Sequence, residues 1–387
     1  MTLFRRRATC AAAALALACA PLTAAAADDN PPGPIGGPRM GETGLIADPA
    51  AGALPQVTAP SWLIADADTG QVLAALDPHH KRRPASTQKT LLALTMAPRL
   101  DPNGSYTADA ADTEVDGTRV GLVAGQTYSL TDLWYGLFLR SGNDAANAIA
   151  KAGADRDVSL AVRMEQAEAQ RLQAYDTTVV NPSGLDADGQ YSSAYDLALW
   201  GRAALGRGDL RRYYTTLRRQ FPGDHTATGT KQTRKSFWMY TQNKLINSYD
   251  GAIGVKAGYT TLAHNTLIAA AERDGHTVLV TLMGVPANVF DQAKVLLDWG
   301  FAHLAAPPVG TLVAPTSTSL LSPADPLWSP GSPAQTLAAA PITVTTAASR
   351  TTDNRTLGIA AAAGAGCGVL LVLHRARRRR RGTRRAA

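Results

Sequence analysis

Three short clusters carry side chains that can make and break a bond to a carbonyl carbon. The first is Ser86-Thr87-Gln88-Lys89. A spacing of three on a helix puts Ser86 and Lys89 on one face, one turn apart. A serine at a helix start also meets the positive end of the dipole, which favours negative charge developing there. Lys89 can take a proton only if its pKa falls from about 10.4; burial and a second cation both push it down. The second cluster is Ser141-Gly142-Asn143, in a turn able to point a hydroxyl and an amide into a cleft. The third is Lys256-Ala257-Gly258, on an expected strand where small residues let an extended peptide approach. Lys151-Ala152-Gly153 has the same composition but stands at an expected helix end, where a glycine stop is ordinary.

Other chemistries lack their residues. No Gly-x-Ser-x-Gly elbow occurs, so a Ser-His-Asp hydrolase has no local support. The histidines are His79, His80, His225, His264, His276, His303 and His374, and none forms a His-x-x-x-His or His-Glu-x-x-His pair. His79-His80 beside Lys81 reads as a solvated loop. Cys10, Cys19 and Cys367 fall in terminal apolar runs, which leaves no thiol nucleophile or thiolate metal site between them. No metal or organic cofactor is implied.

The elements that must position these clusters follow from periodicity. Ser61–Ala67 and Gln71–Leu76 read as a hairpin turned at Asp68-Thr69-Gly70. Ser86–Met96 reads as helix. Leu130, Leu133, Trp134, Leu137 and Phe138 trace one helical face, opened by a capping-box-like Ser129 and Asp132. Helix resumes over Ala145–Ala152, Val158–Ala174 and Ala194–Leu205. Gly251–Tyr259, Asn265–Ala271 and His276–Met283 read as consecutive strands, with Arg273-Asp274-Gly275 as a turn. Asp291–Leu304 reads as a closing helix with Val295, Leu296 and Trp299 toward the core. Strands first and last with helices between indicate an α+β fold: an antiparallel sheet with an inserted helical lobe.

The ends of the 387-residue chain carry address signals. Arg5–Arg7, an apolar run over 8–22 and Ala25-Ala26-Ala27 give the order of a secretory signal peptide, 1–27. Residues 28–57, rich in Pro, Gly and Ala, read as a flexible leader before a catalytic domain at 58–304. Residues 305–356 read as a Pro/Ser/Thr/Ala-rich linker, whose mean reach as a flexible coil is about 40 Å, or as a small β-rich domain. The apolar run 357–373 is about 25 Å long as a helix. It reads as a transmembrane anchor, with the basic tail 374–387 fixing the body outside the cytoplasm. The formal charge of +7 is set by these ends. Without the three basic residues of the signal and the eight of the tail, 27 basic face 31 acidic residues. The basic balance therefore does not indicate nucleic acid. Arg211-Arg212 and Arg218-Arg219 read as a solvated helix face.

Taken in order, Ser-x-x-Lys, Ser-x-Asn and Lys-x-Gly resemble the motifs of the penicillin-recognising serine enzymes. From about Trp62 to Phe301 the chain is similar to the D-alanyl-D-alanine carboxypeptidase family, the low-molecular-mass penicillin-binding proteins. Pro84-Ala85-Ser86-Thr87-Gln88-Lys89, Arg140-Ser141-Gly142-Asn143-Asp144-Ala145 and Asn181-Pro182-Ser183-Gly184-Leu185-Asp186 carry the likeness. Gln190-Tyr191-Ser192-Ser193 and Gly251–Thr260 extend it. The resemblance implies a β-lactamase/DD-peptidase-like fold and removal of the terminal D-Ala from peptidoglycan stem peptides, with β-lactams as covalent inhibitors. It implies that Ser86 attacks the carbonyl, Lys89 takes its proton and Ser141 relays a proton to the leaving amine. Asn143 would hold substrate backbone or Lys89, and Lys256 would attract the terminal carboxylate. Gly258, Tyr259 and Thr260 would line the substrate strand, with the N–H groups of Ser86 and Tyr259 as the oxyanion hole.

One residue departs from the pattern. The family's third motif has a hydroxyl residue where this chain has Ala257, and that hydroxyl helps bind the substrate carboxylate. Its loss removes a hydrogen bond to a charged group, worth about 1.5–3 kcal/mol; Thr260 and Thr261 are the nearby hydroxyls that could stand in. Weak activity, a non-catalytic wall-binding role and a β-lactamase are the alternatives. The last needs a deacylating glutamate, for which Glu165 and Glu168 in an expected helix are the candidates.

Overall fold

The computed structural model describes residues 34–228 and 231–316. The expected signal peptide, most of the expected linker, the apolar run 357–373 and the basic tail lie outside the described residues. No helix among the described residues is long and apolar enough to cross a membrane.

A short strand, β1 (Leu45–Ala47), precedes the hairpin of β2 (Ser61–Asp66) and β3 (Gln71–Leu76). In the hairpin turn the Asp66 carboxylate accepts from the Asp68 and Thr69 N–H groups, and Gly70 takes φ of +83°, a conformation open to glycine. The chain then leaves the sheet for the helical lobe. This comprises α1 (Gln88–Met96), a small ribbon of β4 (Ser105–Thr107) and β5 (Thr127–Ser129) around α2 (Ala110–Thr113), α3 (Leu130–Leu139), α4 (Asn143–Gly153) and α5 (Val158–Arg171). After α6 (Ala194–Leu205) and α7 (Gly208–Thr215) comes a hairpin, β6 (Arg218–Thr228) and β7 (Lys231–Tyr240). The sheet is completed by β8 (Ala252–Thr260), β9 (His264–Arg273) and β10 (His276–Val285), followed by α8 (Val289–Ala302) and β11 (Gly310–Thr311).

The sheet is antiparallel in the order β1-β3-β2-β10-β9-β8, with β11 also on β3. Its central strands are covered on both sides, so their side chains alternate between two cores. In β10, Val278, Val280 and Leu282 pack with Leu296 and Leu297 of α8, while Leu279 and Met283 face the helical lobe. Ile268 and Ala270 of β9 belong to the lobe side, and Leu267 and Ala269 to the α8 side. This α+β arrangement leaves β8 as the outer strand on the edge nearest the motifs.

Several expectations are corrected. The leader is not loose from Pro34 onward: β1 pairs with β3, and Met40 and Ile46 are fully buried. The expected linker begins inside the fold, because β11 pairs with β3 and Val309 and Leu312 are buried. Arg218 and Arg219 open a strand that sequence reading had as helix; Arg218 stacks over Trp238 and Arg219 over Tyr135. Val295 faces solvent, whereas Leu296 and Trp299 are buried. His79 is not a solvated loop residue: its ring is held between Asp176 at 2.7 Å and the Ile35 carbonyl at 3.1 Å.

Candidate active site

Ser86 sits in a single 3-10 turn, Ala85–Thr87, directly before α1. Two threonines fix that turn by donating to the Pro84 carbonyl, Thr87 from the turn itself and Thr266 from β9. Ala85 takes φ of +48°, a left-handed conformation that costs a non-glycine residue free energy and persists only where neighbours enforce it. One such neighbour is Gly184. A Cβ there would lie 1.8 Å from the Ala85 carbonyl oxygen. Gly258 is a second: a Cβ would come 2.6 Å from the Ser86 nitrogen. The two glycines therefore let one loop and β8 close on the backbone of the nucleophile turn.

All nine residues of α1 are buried, which takes Lys89 out of water. Its Nζ lies 2.8 Å from Ser86 Oγ, 2.7 Å from Asn143 Oδ1 and 2.6 Å from the Ser183 carbonyl. The Asn143 oxygen is identified by its other end, since Nδ2 donates to the Asp116 carbonyl at 2.6 Å. Burial first, and then the nearby Lys256, pull the Lys89 pKa well below that of a solvated lysine, while Asp144 and Glu165 pull it up. A neutral amine has two N–H donors and one lone pair. Asn143 Oδ1 and the Ser183 carbonyl can only accept, so they take both donors. The lone pair is left for the Ser86 hydroxyl proton, which is the geometry of a general base on its nucleophile.

Lys256 is the second buried amine. Its Nζ donates to Ser141 Oγ at 2.9 Å and to the Ala257 carbonyl, and burial pushes its pKa down to about 7. Ser141 links α3 to α4 with φ of +59°. Behind it, Asp144 holds the covering loop by accepting from the N–H groups of Val120, Gly121 and Leu122. Asn143 binds the same loop through its own N–H to Thr118 and its amide to Asp116.

The structure thus brings Ser86, Lys89, Ser141, Asn143, Lys256 and Gly258 together. Tyr259 follows on β8 and is 61% exposed. Thr260 is engaged elsewhere: its hydroxyl donates to Asp186 and accepts from the Ala263 N–H. It does not replace the hydroxyl absent at Ala257, which packs at the edge of the α8-side core. Sequence reading gave no role to Asp144 or Gln88, and named Glu165 only as a candidate deacylating glutamate, not as a partner of Gln88. Asp144 and Gln88 stood inside quoted motifs, and their burial was the missing signal. Glu165 carries none in one dimension, being an acid in an amphipathic helix.

A family model described as D-alanyl-D-alanine carboxypeptidase matches residues 48–287. The chain belongs to that family. Among the carboxypeptidases it is 38% identical over 267 residues to DacB2 of Mycobacterium tuberculosis, an overlap covering 67% of this chain and 88% of that one. It is 28% identical to DacF of Bacillus subtilis, with 65% of this chain covered and 64% of DacF, so it spans just under two thirds of that relative. A crystal structure of a D-alanyl-D-alanine carboxypeptidase from Mycobacterium tuberculosis H37Rv superposes with a TM-score of 0.62 at 36% identity, covering 69% of this chain and 99% of that one. The residues matched by the family model, 48–287, lie within the described domain and contain the three motifs.

Proposed function

We propose that the chain removes the terminal D-Ala from peptidoglycan stem peptides through an acyl-enzyme on Ser86. The observation that carries this is the Lys89 nitrogen, with two carbonyls taking its N–H bonds and Ser86 Oγ at its lone pair. As Oγ bonds to the penultimate D-Ala carbonyl carbon, the hydroxyl proton passes to Lys89. When the C–N bond breaks, that proton passes from Lys89 to the leaving amine by way of Ser141, whose Oγ also accepts from Lys256. A water then adds to the ester, giving its proton to the neutral Lys89, which returns it to Ser86 Oγ as the C–Oγ bond breaks and the shortened stem leaves. Protonated Lys256 attracts the carboxylate of the departing D-Ala. The Ser86 and Tyr259 N–H groups serve as the oxyanion hole, worth about 2.7–4 kcal/mol per donor in other enzymes. β-Lactams acylate the same oxygen.

A β-lactamase reading is disfavoured because neither candidate glutamate offers Ser86 a base. Glu165 is buried against Gln88, and both oxygens of Glu168 are paired with Arg171. We also propose that the domain works outside the cytoplasm, exported by residues 1–27 and tethered by 357–373, a reading supported by the sequence pattern alone.

The test is incubation of the purified protein with a pentapeptide ending in D-Ala-D-Ala. D-Ala should be released, and Ser86→Ala should release none. Mass spectrometry after penicillin treatment should find one adduct, on Ser86. A wild-type protein that neither releases D-Ala nor takes up penicillin sinks the reading.

A further inference from the structure

Glu165 is an acid close to Lys89 that the reaction above does not use. It lies on the inward face of α5 with Ala161, Met164 and Ala169, fully buried. Its Oε2 accepts from Gln88 Nε2 at 2.7 Å. Its Oε1 is buried with no hydrogen-bond partner among the described residues, and so is Oε1 of Gln88. As a carboxylate, Glu165 can satisfy neither oxygen, because both atoms only accept, and buried polar groups left unpaired are costly. One proton removes both deficits: carried on Glu165 Oε1, it supplies the donor that Gln88 Oε1 lacks.

We propose that Glu165 is a neutral carboxylic acid, closed with the Gln88 amide into a pair of hydrogen bonds, and that it positions Lys89 as the base without placing a negative charge behind it. This rests on the reading of Lys89 as base. Among the described residues, Lys89 acts on Glu165, and Asp144 and Lys256 act on Lys89. Lys89 comes from α1, Asp144 from α4 and Lys256 from β8. Asp144 gives its oxygens to four backbone N–H groups, those of Val120, Gly121, Leu122 and Ala145. Burial drives the Glu165 pKa well above the carboxylate range, against the pull of Gln88 and Lys89. An ionised Glu165 would raise the Lys89 pKa and hold on it the proton that the reaction needs removed. Gln88 immediately precedes Lys89, so the pair also ties the first turn of α1 to α5.

The test compares wild type with E165Q and E165L by the rate of acylation by a fluorescent penicillin across about pH 5–9, and by infrared spectroscopy. Wild type should show a protonated-carboxyl C=O band at neutral pH that E165Q lacks. E165Q can rebuild both hydrogen bonds as an amide pair, so its acid limb should keep the wild-type position. E165L, which cannot, should acylate about tenfold more slowly, and E165Q should restore most of that loss. An acid limb in E165Q displaced to lower pH by about one unit or more, the effect of removing a real negative charge, overturns the proposal. So does absence of the band. If E165Q fails to fold, the band in wild type carrying 13C-labelled glutamate decides. Unimpaired acylation in Lys89→Met would sink the base reading instead, leaving the band to judge the protonation of Glu165.

Discussion

Lys89 Nζ stands 2.8 Å from Ser86 Oγ, and its two other partners are oxygens that can only accept. The amine is held in place by carbonyls and not by a carboxylate. Replacing it with Met fills the buried site while removing the lone pair. Lys89→Met is expected to slow acylation by penicillin at least about 10³-fold and to lower thermal stability, since Asn143 Oδ1 and the Ser183 carbonyl lose their donor. Stopped-flow acylation and a melting curve check this together.

Lys256 makes carboxylate recognition dependent on pH. Its pKa is lowered from 10.5 to about 7, so in the unliganded protein the amine is charged below that value and loses its charge above it. kcat/KM for a substrate ending in a carboxylate should fall as pH rises through about 7. In kcat, where the bound carboxylate favours the charged amine, the alkaline limb should lie higher. Lys256→Arg keeps its charge at all working pH values and should remove this limb from kcat/KM. A pH series on both proteins decides.

Gly258 has no room for a side chain. A Cβ would meet the Ser86 nitrogen and the Thr266 hydroxyl, each at 2.6 Å, and Thr266 is what holds the Pro84 carbonyl. Gly258→Ala should cut the acylation rate about 10²-fold or more, since small misplacement of reacting groups is costly. Circular dichroism should show the fold retained.

Asp144 anchors the loop over the site through three N–H groups from positions 120–122. Asn in its place offers one acceptor oxygen and turns N–H donors toward N–H donors. Asp144→Asn should lose about 2–4 kcal/mol of stability, consistent with breaking buried charged hydrogen bonds. It should also raise KM, since Asn143 binds the same loop. Denaturant titration and steady-state kinetics measure the two effects.

Ala257 offers a gain of function. The nearby Thr260 hydroxyl is committed to Asp186 and the Ala263 N–H, leaving the substrate carboxylate short of a partner. Ala257→Ser should raise kcat/KM for D-Ala-terminated peptides about tenfold, the equivalent of one hydrogen bond to a charged group. Amidating the terminal carboxylate should cancel the gain.

The site was legible in sequence where spacing and local structure act together. Ser86 and Lys89 are one turn apart by helical geometry, and Ser141 and Asn143 fall in a turn that breaks an apolar period. The three final strands were read within a few residues because their alternation is strong. Residues whose role depends on partners far along the chain were not legible. Gln88 meets Glu165 across 77 positions, and Thr266 meets Pro84 across 182. The hairpin β6–β7 was missed because charged and polar residues crowd it. Residues 34–47 were misread as loose because their Pro and Gly content hides the two side chains, Met40 and Ile46, that the core takes up.

β1 and β11 both lie against β3, at Ala74–Leu76 and at Gln71–Val72. β8, which carries Lys256, is at the other end of the strand order. A pull on the chain before Pro34 is met by the Ile35 carbonyl at His79 and by β1 on β3, and one after Thr316 by the Thr316 donation to the Arg171 carbonyl at the end of α5 and by β11 on β3. The strand attachments that take such a pull stand at the opposite end of the strand order from the edge where Gly258 meets the nucleophile turn.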